Sequence, residues 1–352
     1  MFRTTSEVRM DFRTLGATGI RVTPLCLGAM MFGAVGNPDH GECVRIIHRA
    51  LDAGINFIDT ADAYSRGESE EIVGKAIKGR RDALVIATKF YTKMSDTDPN
   101  MRGASRRWIV REVENSLRRL GTDYIDLYQL HRYDIDTDIE EVLCTLTELV
   151  RAGKIRYFGS STLPADRIVE SHWVAERRGT LRFRSEQPPY SIFNRDVERF
   201  VLPACRRYGM GVLSYSPLDG GFLAGKYRGP ADFAGPNNRI ERFAKFSRGS
   251  FDPDADYIRR KIALVGELTR LADEAGIGLA ELAVAFVLQH PAITAAIIGP
   301  RTMQHLESVI RAGDIALSAE TLDRIDALCP PGTMFDPVND LPSGTMKSAL
   351  RR

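Results

Sequence analysis

The chain has 352 residues, 43% of them hydrophobic and 27% charged, the proportions of an ordinary globular protein rather than a disordered or membrane-spanning one. A formal net charge of +2 supplies no global attraction to nucleic acid or to an anionic membrane surface. The five cysteines, Cys26, Cys43, Cys144, Cys205 and Cys329, include no pair at metal-ligand or redox-motif spacing, which points to reduced thiols, no metal site and a cytoplasmic setting.

Residues 1–10 are polar and read as a loose N-terminal extension without a signal peptide. No apolar run approaches the ~20 residues of a membrane span. Asp11–Thr14 and Ile20–Thr23 flank Leu-Gly-Ala-Thr-Gly, a pattern that predicts a β-hairpin. Short apolar runs then alternate with amphipathic stretches. Predicted strands are Leu25–Gly28, Asn56–Asp59, Leu84–Thr88, Tyr124–Leu130, Ile155–Ser160, Phe183–Gln187, Gly211–Tyr215 and Ala295–Ile298. Predicted helices in the first half are His40–Ala53, Ser69–Lys78, one from Ser105 to Leu120, Asp138–Ala152 and Pro164–Arg178. Asp196–Tyr208, Ala255–Ala275, Leu279–Gln289, Thr302–Arg311 and Ala319–Leu328 follow. A Gly/Pro/Asn-rich segment from about Asp219 to Pro253 breaks the rhythm, and residues 329–352 read as an irregular C-terminal tail.

Such alternation implies a parallel sheet. Eight strands favour a closed (β/α)8 TIM barrel, since closure leaves no edge strand. The domain then spans residues 11–328, with an N-terminal hairpin and extra C-terminal helices. A doubly wound open sheet is the alternative. It calls for a glycine-rich phosphate turn directly between first strand and helix. The stretch Gly28, Gly33, Gly36 has the wrong spacing and no helix at once after it.

Barrel active sites form at the C-terminal ends of the strands. The second strand ends at Asp59, the third at Lys89 and the fourth at His131, while Tyr64 lies in the loop after the second. One barrel mouth thus collects a carboxylate, an amine, an imidazole and a phenol. Carbonyl reduction by hydride requires a proton for the new alkoxide. A Tyr with an ordinary pKa near 10 becomes a better acid when a Lys ammonium stabilises its phenolate. An Asp keeps that ammonium charged, and a His orients the carbonyl.

The run from Gly54 to Glu70, GINFIDTADAYSRGESE, closely resembles the signature of the aldo-keto reductases. Thr88-Lys89 and Leu130-His131 resemble the two other catalytic segments, and the likeness covers roughly residues 11–328. It implies that Asp59, Tyr64, Lys89 and His131 form the catalytic tetrad and that the hairpin plugs the barrel bottom. It also implies a nicotinamide cofactor. Ser161 and Gln187 would hold the nicotinamide amide, with Thr162 replacing the usual Asn, and Tyr215 would stack on the ring. Ser216, Leu218, Gly220 and Lys226 belong to a segment resembling the loop over the pyrophosphate, with Arg239 a further charged contact. Gly299 and Arg301 open the last barrel loop, a common phosphate position.

Where many relatives carry Gln and then Glu-Asn to grip the adenosine, this chain has His305, Ser308 and Val309. The positive charges of Lys226, Arg239 and Arg301 favour NADPH, with NADH the alternative. The expected partner is a small carbonyl compound or alcohol, held by Met31, Phe32, Phe90 and Tyr133. Met30, Tyr91, Phe193 and Phe222 are further candidates for the wall. Two other functions fit parts of the pattern. Potassium-channel beta subunits resemble the same family but carry Asn at the place of His131. A barrel lyase would use Lys89 as a Schiff base, which Asp59 beside it opposes by raising the amine pKa. Oligomeric state leaves no signal in the sequence.

Overall fold

In the computed structural model, which describes residues 11–233 and 254–335, the apolar runs pair side by side. A short antiparallel hairpin comes first, β1 (Arg13–Thr14) and β2 (Arg21–Val22). Eight strands follow: β3 (Leu25–Gly28), β4 (Phe57–Asp59), β5 (Val85–Phe90), β6 (Ile125–Leu130), β7 (Ile155–Ser161), β8 (Ser185–Gln187), β9 (Gly211–Ser214) and β10 (Ala295–Ile298). They close into a barrel in chain order, β10 pairing with β3. Every pairing in it is parallel. The predicted (β/α)8 barrel is the observed fold.

Helices α1 (His40–Asp52), α2 (Glu68–Ile77), α3 (Arg106–Leu120), α4 (Ile139–Arg151), α5 (Ala165–Arg178) and α6 (Val201–Tyr208) connect successive strands. Helices α7 (Asp256–Glu274) and α8 (Leu279–Gln289) precede β10, and α9 (Met303–Glu307) and α10 (Ala319–Leu328) follow it. Local chemistry sets their ends. Asp39 and Ser105 cap α1 and α3 through bonds to the amides of Glu42 and Trp108. Gly121, Gly179 and Gly209 end α3, α5 and α6 in the left-handed conformation.

Strand alternation divides the core in two. Cys26, Phe57, Val85, Ala87, Leu127, Leu213, Ala295 and Ile297 fill the barrel interior. Their neighbours Ile58, Ile86, Tyr128, Val212, Ala296 and Ile298 pack outward against the helices.

Two expected helices are shorter than their periodicity suggests. Pro203 lacks an N–H and crowds the carbonyl four residues back, so a 3-10 turn at Asp196–Glu198 comes first and α6 starts only at Val201. Near the C-terminus the Ser308 hydroxyl donates to the His305 carbonyl, competing with the backbone ladder. Helix α9 ends there, and a 3-10 turn at Ile310–Asp314 replaces its continuation. Of the tail, residues 329–335 are described. Arg195 donates to the Cys329 carbonyl, and the Phe335 amide donates to that of Phe193.

The hairpin closes the N-terminal end of the barrel. Leu15 is fully buried in the interior cluster. The Ala17 amide donates to Gly209, and the Tyr157 hydroxyl donates to the Thr18 carbonyl at 3.1 Å. Arg13 reaches the carbonyls of Ile293 and Leu288. The opposite end carries the long loops.

Candidate active site

Strand parity aims the polar residues. On β4 the interior face carries Phe57 and Asp59; on β5 it carries Val85, Ala87 and Lys89. Lys89 is fully buried, and its ammonium has three partners. Its Nζ donates to Asp59 Oδ1 at 2.5 Å, to the Thr60 carbonyl at 2.8 Å and to the Tyr64 hydroxyl at 3.2 Å. The other Asp59 oxygen accepts from Gln187 Nε2 at 2.8 Å and from Gln129 Nε2 at 3.2 Å. The His131 ring meets Tyr64 edge-on at a centroid distance of 5.9 Å. Asp59, Tyr64, Lys89 and His131 therefore stand together at one end of the barrel, Tyr64 and His131 keeping part of their surface exposed.

The electrostatics follow from this packing. Burial depresses the Lys89 ammonium, but Asp59 and then Tyr64 outweigh it, and its pKa stands above the ordinary value. Burial lifts the Tyr64 phenol above its usual pKa, with Lys89 pulling the other way. Lys89 thus lowers the phenol as expected, but desolvation penalises the phenolate by more than one ammonium offsets, and the net shift is upward. Burial, then Arg132 and Lys89, hold the His131 imidazole well below its ordinary pKa. It is neutral at physiological pH, and its Nδ1 is buried without a hydrogen-bond partner among the described residues.

Backbone strain marks the same end of the barrel. Among the described residues, the non-glycine positions with positive φ are Ser65, Arg66, Tyr91, Thr162, Ser216 and Asp219. All lie in loops after the C-terminal ends of β4, β5, β7 and β9. Such conformations cost of order 1–3 kcal/mol each and persist where surroundings over-determine them, often at functional sites.

The other expected residues fall into groups. Ser161 Oγ donates to the Gln187 carbonyl at 2.9 Å, and Thr162 Oγ1 lies 3.5 Å from the Tyr215 hydroxyl. These residues share the mouth with the four above. The loop after β9 runs through Ser216 and Leu218 into a 3-10 segment, Asp219–Ala224, where Gly220 and Gly221 take positive φ. A buried ion pair at 2.7 Å, Lys261 to Asp219, fastens that loop to α7. Beyond Gly299, the Arg301 carbonyl accepts from Asn37. His305 is held below its usual pKa by burial, then by Lys226 and Arg301, so three basic side chains gather beside the loops after β9 and β10. Arg239 lies outside the described residues.

The expected substrate wall is redistributed. Phe90 shares the outward face of β5 with Ile86 and Thr88, opposite Lys89, and packs on Tyr128 at 4.8 Å between ring centroids. Phe32 is fully buried in the same outer core, and so is Phe193, behind Phe335. Phe222 packs with Tyr227 and Phe233. Tyr91 is buried with φ 135°, while Met30 and Tyr133 are part-exposed and Met31 is nearly buried.

Three neighbours escaped the sequence reading. Gln129 and the Thr60 carbonyl join the Asp59–Lys89 pair, and strand parity, which puts Gln129 two residues after inward Leu127, was the signal for the first. Arg132 follows His131 and bonds its carbonyl at 2.6 Å; nothing in its spacing distinguished it from a solvated arginine.

Comparison with known proteins places the chain in a family. Residues 24–329 match the model of the aldo/keto reductase family. The chain is 40% identical to the uncharacterized oxidoreductase YrpG of Bacillus subtilis, over 92% of this chain and 97% of that protein. It is 36% identical to the aldo-keto reductase YhdN of the same bacterium, over 94% and 96%. A protein of Oryza sativa named "probable voltage-gated potassium channel subunit beta" is 33% identical over 91% and 96%. No helix among the described residues is long and apolar enough to cross a membrane. With a family match across nearly the whole barrel and oxidoreductase-named relatives, the chain belongs to the aldo/keto reductase family.

Proposed function

We propose that this protein reduces an aldehyde or ketone, or oxidises the matching alcohol, with NADPH as its cofactor. One observation carries the reading: a fully buried Lys89 held 2.5 Å from Asp59 and 3.2 Å from the Tyr64 hydroxyl. The mouth also suits a nicotinamide nucleotide. Ser161, Thr162, Gln187 and Tyr215 stand beside the tetrad, and Lys226, Arg301 and His305 gather basic side chains at the usual phosphate position of such barrels. The charges of Lys226 and Arg301 favour the extra phosphate of NADPH over NADH. A bound nicotinamide supplies the hydride; the protein supplies position and protons.

Tyr64 is the proton donor in reduction. Its raised pKa keeps the phenol protonated in the resting site. As charge develops on the substrate oxygen, the phenol O–H gives up its proton, and Lys89 stabilises the phenolate left behind. Asp59 holds the Lys89 ammonium charged, and Gln129 and Gln187 fix Asp59. Neutral His131 offers a ring N–H to the carbonyl oxygen and orients it. Oxidation runs the same proton path backwards. His131 also favours a working enzyme over a regulatory subunit. Met31 and Tyr133 are the proposed substrate contacts.

Tyr64→Phe keeps the ring and removes the proton. Turnover should fall about 10²–10⁴-fold, the usual size of a general acid contribution. Fluorescence titration should find NADPH affinity nearly unchanged, and NADH binding weaker in both proteins. Near-wild-type turnover by the variant would refute the acid role.

A further inference from the structure

We propose that Arg132 seats a carboxylate of the substrate, so that the site selects carbonyl compounds carrying a carboxylate near the reacting carbon. The inference rests on the reductase reading and names the substrate class for the same site. Arg132 directly follows His131 at the mouth. One guanidinium nitrogen, Nη1, donates to the His131 carbonyl at 2.6 Å and to Thr162 Oγ1 at 3.3 Å. Thr162 Oγ1 is in turn 3.5 Å from the Tyr215 hydroxyl and 3.4 Å from Ser161 Oγ. The guanidinium thereby bridges the loops after β6 and β7, among the residues that surround the reacting centre. Its charge is felt at both Tyr64 and His131.

Charge balance gives the bridge its meaning. Lys89 is matched by Asp59, and His131 is neutral. Arg132 is part-exposed and makes no ion pair with a carboxylate among the described residues, whereas Arg81, Arg119, Arg167 and Arg195 each do. Its Nη2 and Nε make no hydrogen bond to the described residues. Glu186 senses the Arg132 charge only from behind β8, where its oxygens are taken by Ser160 and the Leu163 amide, so the mouth carries a positive charge with no carboxylate in contact, on a planar fork anchored through a single nitrogen. The remaining donors of such a fork match a carboxylate, with geometry that a lysine does not reproduce. A neutral aldehyde leaves that charge unmatched; a carboxylated one neutralises it on binding.

The test uses the full chain with NADPH and two matched pairs of aldehydes: 4-oxobutanoate against butanal, and 2-formylbenzoate against benzaldehyde. In the wild type, kcat/KM should favour the carboxylated member of at least one pair by tenfold or more, mainly through KM. Arg132→Met should cut that ratio at least tenfold, and Arg132→Lys should keep an intermediate preference. A wild type without preference in both pairs overturns the proposal. So does an Arg132→Met variant that loses both members of a pair equally, which would make Arg132 a positioning residue for Tyr64 and His131. A wild type that binds NADPH yet reduces neither member of either pair sinks the reductase reading and this inference with it. Reduction of the neutral members alone sinks only the inference.

Discussion

Single side chains behave in this site as their surroundings dictate, and Glu186 shows how far. It lies on β8 next to Gln187 but faces outward, fully buried. There it accepts from Ser160 Oγ at 2.5 Å and from the Leu163 amide at 3.0 Å, tying down the loop that carries Ser161 and Thr162. Burial pushes its carboxyl up to about 7, against the hydrogen bonds and Arg132. A carboxyl whose folded pKa exceeds its unfolded value near 4.3 binds more protons in the folded state. Its contribution to stability is complete below that unfolded value and is lost as pH rises through about 7. Glu186→Gln stays neutral throughout. The stability of the variant relative to wild type should therefore improve by roughly 2 kcal/mol between pH 5 and pH 8. Urea denaturation at the two pH values measures it, and a difference that does not move with pH removes the argument. Sequence alone could not find this group, because its burial depends on which face of a three-residue strand meets the helices. The same parity was readable for Phe90: one residue from inward Lys89, it must point outward.

Elements are held to the barrel by polar joints as well as by apolar faces. Glu70 of α2 accepts from Thr88 of β5 at 2.6 Å and from Arg119 of α3 at 2.5 Å. Arg119 also donates to Glu112 at 2.5 Å, and both carboxylates are fully buried. Thr88 precedes Lys89, so this joint fixes the strand that presents the ammonium. Arg119→Met leaves two buried carboxylates without their cation and should destabilise the protein by about 3–5 kcal/mol, read as a lower urea midpoint. An unchanged midpoint would mean that the two carboxylates find other compensation. In the sequence these residues look like the solvated face of two ordinary helices. The eight strands and most helices were legible because periodicity and capping residues are local signals. The break before α6 was also local, since Pro203 cannot sit inside a continuous helix. The end of α9 at Ser308 depended on a side chain choosing the backbone, which periodicity does not record.

The whole molecule separates stability from chemistry along the barrel axis, and the hairpin tests that division. Gly16 has φ 51°, and a Cβ there would meet the Gly211 amide nitrogen at 2.4 Å, the Gly209 carbonyl oxygen at 2.7 Å and the Arg184 carbonyl oxygen at 2.9 Å. All three are backbone atoms at the N-terminal end, so none can swing aside. Gly16→Ala combines a left-handed backbone, costing about 1–2 kcal/mol for a residue with a Cβ, with overpacking that typically costs about 1–3 kcal/mol. The hairpin should lift from the barrel floor and the urea midpoint should fall. The proposed nucleotide site stands at the other end, so NADPH affinity below the unfolding transition should stay within twofold of wild type. An unchanged midpoint would mean the hairpin does not seal the floor as tightly as its contacts indicate. A large loss of NADPH affinity in the folded variant would mean that the packed interior, from Leu15 up through Phe57 and Ala87, transmits strain to Asp59 and Lys89. Phe57 and Ala87 lie on the same strands as Asp59 and Lys89, which makes the barrel core the physical route such a coupling would take.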